Sequence, residues 1–191
     1  MKVLNLGCGG TRPKDKRWIN IDNLHELFPN PGCIERQHMD AEPNYLNHDL
    51  SKPMPFEENS IDGVLASHLL EHFEMLDCLS LVEDCYRVLK PGGIFRVSVP
   101  CPKKFHEGTL AGKTDWGEPV GKMRGKETTM MNYALFFIGH KQILGIDAVF
   151  CMLYDAGFRE YEEKAFTHTW LPPLADHDNR PDFTIFIEGR K

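Results

Sequence analysis

The chain has 191 residues, of which 41% are hydrophobic and 26% charged, so it is long enough for one domain with its own core. Its net charge of −6 argues against a general affinity for nucleic acid or anionic membranes and mildly favours a cationic ligand. The six cysteines form no Cys-x-x-Cys pair, and no apolar run approaches about 18 residues. We therefore expect reduced thiols, no membrane span and a cytoplasmic protein; the composition leaves the oligomeric state open.

The first strand is predicted over residues 2–6 and ends directly at glycines. Gly7 and Gly9 follow it, with Cys8 between them. Glycine permits positive φ and lets a ligand approach bare backbone. Ligands of open α/β sheets bind at the carboxyl ends of the strands. We therefore expect ligand contacts at Gly7, Cys8 and Gly9.

The second strand is predicted over Trp18–Asp22, and its distance in sequence from the glycines limits which classes of ligand could bind. Only seven residues separate Gly10 from Trp18, and Pro13 is one of them, so the first crossover has room for about one helical turn. A dinucleotide site needs a third glycine that opens a longer helix and an acid roughly 20 residues further on. A P-loop would need Gly-Lys-Ser/Thr. A nucleoside without phosphates, S-adenosylmethionine (SAM), fits this pattern better than NAD or ATP.

Later in the chain a predicted strand, a helix and another strand follow one another. This order predicts a parallel sheet with right-handed crossovers. Met75, Leu79, Val82, Tyr86 and Leu89 recur at spacings of three and four, which predicts the buried stripe of a helix. After a polar connection at 24–44, the predicted elements are a strand at 45–48, a strand at 62–67, a helix at 73–89 that stops at Lys90-Pro91-Gly92-Gly93, and a strand at 94–99.

Regularity is lost over residues 101–139, where basic residues outnumber acidic ones. A connection of this length in a compact domain is usually functional, and we predict that it forms a lid over a substrate. A helix at 143–156, stopped by Gly157, and strands at 158–165 and 183–188 complete the chain. The basic residues are Lys103, Lys104, Lys113, Lys122, Arg124 and Lys126.

Three further stretches carry a resemblance to a known family. They are His48-Asp49-Leu50 with Pro53-Met54-Pro55-Phe56, Ser60-Ile61-Asp62-Gly63-Val64-Leu65-Ala66-Ser67-His68-Leu69-Leu70-Glu71-His72, and Tyr86-Arg87-Val88-Leu89-Lys90-Pro91-Gly92-Gly93. Together with Gly7-Cys8-Gly9-Gly10, here called the glycine loop, they resemble the class I SAM-dependent methyltransferases, in particular the small type 11 branch. The resemblance covers roughly residues 3–100. The resemblance implies one α/β domain over 1–191, a Rossmann-like, doubly wound and mostly parallel seven-stranded sheet, with the first crossover helix shortened.

The same resemblance implies SAM as the cofactor and methyl transfer to a small-molecule or glycan-type acceptor by in-line displacement. Its N-terminal capping helices do not precede the first strand here, so we expect residues 101–139 or a partner chain to close the pocket. One alternative is a non-catalytic SAM-binding partner subunit. A nucleic-acid methyltransferase is disfavoured, because neither an Asn/Asp-Pro-Pro-Tyr/Phe motif nor an appended basic domain is present.

Cofactor contacts are predicted at the ends of several strands. Asp22 closes the second strand, where its carboxylate can accept both ribose hydroxyl protons. The resemblance places Asp49 at the adenine amino group, with the Leu50 backbone beside the ring; Asp40 is a rival for that role. Where the family often has an acid, this chain has Asn5, which can bond the loop or the ligand's ammonium group but without full charge assistance.

The stretch from Ser67 to His72 supports two interpretations. By resemblance, Ser67 and His68 lie near the methionine portion of SAM, and Glu71 and His72 lie at the entrance of the pocket. The same residues match the His-x-x-Glu-His pattern of zinc metallopeptidases. This chain lacks the large scaffold of those enzymes, so we expect no metal.

Three histidines are candidates for a general base, because imidazole exchanges protons near neutral pH. They are His68, His72 and His140, the last of which lies in Gly139-His140-Lys141 before the final long helix. Each of them could instead make only an orienting hydrogen bond. A base is needed only for a poorly acidic hydroxyl or a protonated amine.

Overall fold

The computed structural model describes residues 1–23, 37–38, 41–110, 139–178 and 181–191, with only the backbone described at 105 and 108–110. Seven strands form one sheet in the order β3-β2-β1-β4-β5-β7-β6. β7 is antiparallel to both its neighbours, and the other described pairings are parallel, which confirms the predicted sheet. The strands are β1 Val3–Leu6, β2 Trp18–Asp22, β3 Tyr45–Asn47, β4 Ile61–Ser67, β5 Leu89–Pro100, β6 Glu160–Lys164 and β7 Thr184–Arg190.

The strand register brings three loops to one edge of the sheet. Leu6, the last residue of β1, pairs with Ile21 on one side and Ala66 on the other. The residues that follow these three positions therefore leave the sheet side by side. Residues 7–17, which connect β1 to β2, contain no helix. The first crossover is therefore shortened as predicted, and its helix is absent altogether.

Three α-helices are described: α1 Met75–Val88, α2 Pro102–Leu110 and α3 Ile146–Ala156. Helix α3 ends as predicted, because Gly157 adopts φ +112° and its N–H bonds the carbonyls of Leu153 and Tyr154. The predicted stripe is confirmed in part, because Val82 and Leu89 are buried and Leu79 and Tyr86 are partly buried against the core. Met75 is 49% exposed, whereas Cys78, Leu81, Val82, Cys85 and Val88 are buried. Among the helices described, none is long and apolar enough to cross a bilayer.

Helix α2 corrects part of the prediction for 101–139. Pro102 occupies its first position, where a missing N–H costs nothing, and Lys103 pairs with Glu107 one turn later at 4.0 Å. The remainder of the predicted lid, residues 111–138, lies outside the described residues, as do most of residues 24–40 with Asp40. The lid therefore stays a prediction.

The two faces of the sheet are covered differently. Helices α1 and α3 pack together on the larger apolar cluster, which includes Leu4, Leu6 and Ile21. The other face presents Val3, Trp18, Leu65 and Ile94, which pack against Leu174 with Trp170 and Leu171. Leu174 belongs to the 3-10 helix Pro172–His177 in the connection from β6 to β7. Residues 165–178, here called the β6–β7 cover, thus bury the second face.

A buried ion network holds the β6–β7 cover in place. Arg96 of β5 is fully buried, and its guanidinium makes a bidentate contact with Asp178 and a 2.8 Å bond to Glu188. It also donates to the carbonyl of His168 at 2.9 Å. Glu188 in turn accepts hydrogen bonds from the Thr169 hydroxyl and the Trp170 N–H. The Arg96 side chain therefore binds the β6–β7 cover near its start, at His168, and at its last residue, Asp178.

Candidate cofactor cleft and histidine cluster

A cleft opens at the carboxyl ends of β1 and β4. It brings together six of the predicted site residues, which come from β1, from the glycine loop and from the end of β4. Since ligands of parallel sheets bind at this edge, the cleft is the candidate cofactor site. Its lining consists of Asn5, Gly7, Cys8, Gly9, Gly10, Thr11, Leu65, Ser67, His68 and His177.

The two predicted glycines serve different purposes. Gly7 has φ +60°, which disfavours any side chain, and a Cβ there would lie 2.4 Å from Leu69 Cδ1, so Leu69 would also have to move. Gly9 has φ +46°, but a Cβ built on it meets no other atom of the described chain within 4 Å. Of these two glycines, Gly9 alone leaves backbone open towards a ligand, as the sequence predicted for both; the neighbouring Gly10 is open as well.

Asp22 lies beside the glycine loop. Its Oδ2 accepts the Gly9 N–H at 2.8 Å, and its Oδ1 accepts the N–H of Asn23 at 2.8 Å. Each carboxylate oxygen can accept a further proton, so two ribose hydroxyls still find acceptors. The carboxylate thus fixes the loop at Gly9, although Asp22 itself is not among the residues that line the cleft.

Asn5 orders the short first crossover. Its Nδ2 donates to the Thr11 carbonyl at 2.8 Å and to Asn20 Oδ1 at 3.0 Å, so both of its protons are bound within the protein. Asn20 and Asn44 donate in turn to the Pro13 carbonyl. These side-chain bonds replace those that a crossover helix would supply. The carbonyl oxygen of Asn5 remains the group that could accept an ammonium proton.

Asp49 and Leu50 do not belong to the lining of the cleft. The Ser51 hydroxyl and N–H bond the Asp49 carboxylate, and Lys52 lies 3.1 Å from it; these bonds lower the pKa of Asp49 to about 2. Leu50 is buried and lines a separate groove beside α1 with Pro53. Their predicted contacts with adenine stay a prediction.

The thiol of Cys8 lines the cleft but is chemically inert. It is only 4% exposed, and burial, aided by the nearby Asp22 carboxylate, raises the pKa of Cys8 to about 12. The thiolate is the reactive form, so it is scarcely populated near neutral pH. The residue therefore contributes its backbone and its volume to the cleft.

Brief alkylation of the native protein at about pH 8 is expected to leave Cys8 unmodified and to label the exposed Cys151. Peptide mass mapping measures the extent at each site, and alkylation after unfolding supplies the matched control. Labelling of Cys8 at the rate of Cys151 would contradict the buried, protonated thiol.

His177 is a cleft residue that the sequence did not indicate. It ends the 3-10 helix of the β6–β7 cover, and its ring packs edge-on against Trp18 with centroids 5.0 Å apart. Burial lowers the pKa of His177 below its usual value, which favours the neutral ring. The β6–β7 cover therefore forms one side of the cleft.

The three predicted base candidates converge on Glu71. His68 Nδ1 lies 3.4 Å from Glu71 Oε1, and His140 Nε2 lies 3.8 Å from the same oxygen. His72 packs edge-on against His140 with ring centroids 4.8 Å apart. Of the three histidines, His68 alone lines the cleft. We call Glu71, His68, His72 and His140 the histidine cluster.

The local backbone excludes the zinc-peptidase arrangement. In that motif both histidines lie on one α-helix. Here only Leu70–His72 form a short 3-10 helix, and His68 precedes it with φ +51°, in the left-handed region. His68 and His72 therefore do not share a helix face.

Comparison with known proteins agrees with this geometry. The type 11 family model described as a methyltransferase domain matches residues 4–97. A solved SAM-dependent methyltransferase from Mesorhizobium loti superposes with a TM-score of 0.61 at 19% identity, covering 100% of this chain and 90% of its own, which shows the shared fold. Residues 4–97 belong to the type 11 methyltransferase family. The cofactor of this methyltransferase domain is SAM.

Curated relatives of the methyltransferase domain are much longer than this chain. A sterol 24-C-methyltransferase of Aspergillus fumigatus is 38% identical over 104 residues, which cover 51% of this chain and 27% of that protein. A mitochondrial ubiquinone biosynthesis O-methyltransferase of Rattus norvegicus is 29% identical over 102 residues, or 49% and 29% respectively. This chain thus spans just over a quarter of the length of either relative.

Two site residues lie outside the part of the chain matched by the methyltransferase family. His140 joins the histidine cluster from the segment before α3, and His177 reaches the cleft from the β6–β7 cover. The matched residues supply the glycine loop, Asp22 and the end of β4. The C-terminal half therefore adds His177 to the cleft and His140 to the neighbouring histidine cluster.

Proposed function

We propose that this chain transfers the methyl group of SAM to a small-molecule acceptor. The observation that carries the proposal is the open backbone at Gly9, which lies directly beside the Asp22 carboxylate at the ends of adjacent parallel strands. This pair can hold the edge of a ribose without any phosphate group nearby. The match of residues 4–97 to the methyltransferase family supports it.

The protein's main contribution to this reaction is to align the acceptor with the methyl group. A sulfonium-bound methyl group is already activated: the acceptor forms a bond to the methyl carbon while the carbon–sulfur bond breaks, and its electron pair returns to sulfur. Asp22 would hold the ribose, the glycine loop would support the nucleoside, and His177 with the β6–β7 cover would limit access of water. No covalent enzyme intermediate is required.

The acceptor is proposed to be a small molecule or a glycan-type compound with an oxygen, nitrogen or carbon nucleophile. The names of the relatives support a small molecule, because one is a sterol C-methyltransferase and another an O-methyltransferase of ubiquinone biosynthesis. The acidic net charge gives no reason to expect a nucleic acid. We propose that the acceptor enters the cleft beside His68, which is one of its lining residues.

His68 is the proposed general base for an acceptor that must lose a proton. Among the three predicted histidines it alone lines the cleft, and its Nε2 lies 3.0 Å from the Thr184 hydroxyl. The hydroxyl can turn to serve the ring as donor or acceptor, so it holds the imidazole without fixing one tautomer. Its left-handed backbone is compatible with asparagine, which offers a conservative replacement.

Release of S-adenosylhomocysteine (SAH) tests the proposal. Wild-type protein incubated with SAM and a panel of sterols, phenols, amines and sugars is expected to release SAH with at least one acceptor. His68→Asn is expected to lower turnover by roughly 10²-fold or more on a hydroxyl acceptor while SAM affinity changes little. The matched control is His168→Ala, an exposed imidazole of the β6–β7 cover.

Tight SAM binding without SAH release from any acceptor would overturn the catalytic proposal and favour a partner subunit. Equal losses of turnover and SAM affinity in His68→Asn would instead assign His68 to binding. These two outcomes are separable, because the first concerns the wild-type chain and the second only the variant.

A further inference from the structure

The carboxylate of Glu71 is in an unusual state. Its side chain is only 1% exposed, yet neither oxygen has a hydrogen-bond partner among the residues that the structure describes. A buried ionised carboxylate is normally bonded or paired, because removal from water costs free energy that something must offset. The 3.4 Å approach of His68 Nδ1 does not meet hydrogen-bond geometry. Among the described residues, no donor is therefore placed to hydrogen-bond either oxygen of this buried carboxylate.

Two imidazoles flank this carboxylate. One donor atom each from Glu71, His72 and His140 lie within 4.8 Å of one another, and the contact between Glu71 and His140 is 3.8 Å. In a tetrahedral zinc site with bonds of about 2.1 Å, donor atoms are roughly 3.4 Å apart. Side-chain movements of about an ångström would close the triad around one ion. Two imidazoles and one carboxylate form a donor set suited to a first-row transition metal.

Backbone contacts hold the two halves of the triad together. The Lys141 N–H donates to the Glu71 carbonyl at 2.8 Å, and Gln142 Nε2 donates to the carbonyls of Leu70 and Phe73 at 3.3 and 3.1 Å. These bonds fix the segment that carries His140 against the 3-10 helix that carries Glu71 and His72. The triad is thus pre-organised from two distant parts of the sequence.

The ring of His72 is oriented as metal-binding histidines are. Its Nδ1 lies 3.3 Å from the Gly139 carbonyl, which can only accept, so Nδ1 carries the proton in this hydrogen bond. The lone pair is then on Nε2. A metal-ligating histidine typically makes this second contact, which sets its tautomer and raises the basicity of the other nitrogen.

We propose that Glu71, His72 and His140 form a binding site for a first-row transition-metal dication such as Zn²⁺. This goes beyond the proposed methyl transfer and departs from the sequence-based expectation of no metal. The dication would compensate the buried Glu71 charge. Two histidines and one carboxylate leave a fourth position for water or for an oxygen of a bound molecule. The site adjoins the cleft through His68, which touches both.

Metal binding is tested on protein without a histidine tag, stripped with a chelator and dialysed. Competition between the protein and a chromophoric chelator measures Zn²⁺ affinity and stoichiometry, and Co²⁺ reports nitrogen and oxygen ligation through its visible absorption. We expect one equivalent per chain. His140→Ala and His72→Ala should each weaken binding by more than the roughly 10- to 100-fold lost with an outer-shell partner.

Controls separate this site from other donors in the chain. Cys151→Ser removes an exposed thiol and His168→Ala an exposed imidazole, and both should bind Zn²⁺ like the wild type. Glu71→Gln keeps the shape of the side chain and should abolish binding, with circular dichroism reporting whether the variant folds. Absence of stoichiometric binding to the wild type would overturn the proposal. So would wild-type affinity in folded His72→Ala and His140→Ala.

Discussion

Replacing Asp22 with alanine is expected to raise the Kd of SAH by about 10- to 100-fold, as measured by titration calorimetry. The carboxylate would accept hydrogen bonds from ribose hydroxyls, and hydrogen bonds to a charged group contribute roughly 1.5–3 kcal/mol. The same side chain accepts the Gly9 N–H, so its loss also loosens the loop on which the nucleoside would lie.

Two further variants define what the Asp22 result means. Asp22→Asn can still accept the Gly9 N–H but lacks the charge, so we expect an affinity between those of the wild type and the alanine variant. Asp15→Ala removes an exposed carboxylate that pairs only locally with Arg17, and it should bind SAH like the wild type. Unchanged affinity in Asp22→Ala would remove Asp22 from the site.

Replacing Arg96 with methionine is expected to lower the free energy of unfolding by about 3–5 kcal/mol, measured by urea denaturation. The guanidinium is fully buried between Asp178 and Glu188, which are themselves almost completely buried. Methionine retains much of the volume but leaves two carboxylates without their cation. Because Arg96 anchors the β6–β7 cover that carries His177, SAH affinity should fall as well.

The control for Arg96 is an ion pair on the surface. Arg17 contacts Asp15 at 2.7 Å, but both side chains are more than 40% exposed. Exposed ion pairs contribute at most about 1 kcal/mol to stability. The free energy of unfolding of Arg17→Met should therefore lie within about 1 kcal/mol of the wild-type value. If Arg96→Met were as stable as Arg17→Met, the β6–β7 cover would not depend on this network.

Local sequence patterns predicted most of the sheet. The glycines after β1 and Asp22 at the end of β2 depend on neighbouring residues only, and so they can be recognised without the fold. Helix α1 ends before Lys90-Pro91-Gly92-Gly93 as predicted, but these four residues belong to β5, which begins at Leu89 and not at the predicted residue 94. The predicted stripe of α1 included Met75, which is exposed, and left out Cys78 and Cys85. Buried cysteine behaves as a small hydrophobic residue, and here both are fully buried.

Long-range contacts account for what the sequence did not reveal. The cover of the second face depends on a bond between Arg96 and Asp178, which are 82 residues apart. One signal was available: an arginine in the middle of the apolar strand Ile94-Phe95-Arg96-Val97 must find buried partners. The identity of those partners, and with it the position of His177 beside Asp178, is visible only in the structure.

The histidine cluster was predicted as separate residues but not as an assembly. Each histidine was chosen from a local motif or a family position, and nothing local indicates that His140 meets Glu71 across 69 residues. The backbone bonds of Lys141 and Gln142 to residues 70–73 create that proximity. Periodicity carries no information on such contacts, so chemistry shared between segments emerges only in the fold.

Two-dimensional ¹H–¹⁵N NMR during titration with SAH tests most directly whether the cofactor occupies this cleft. We expect saturable shifts at the amides of Gly7, Gly9 and His68, with little change at Glu160–Lys164 on the far edge strand β6. Shifts confined to β6, or no saturable shifts with SAH in excess, would contradict the cofactor site described for this chain.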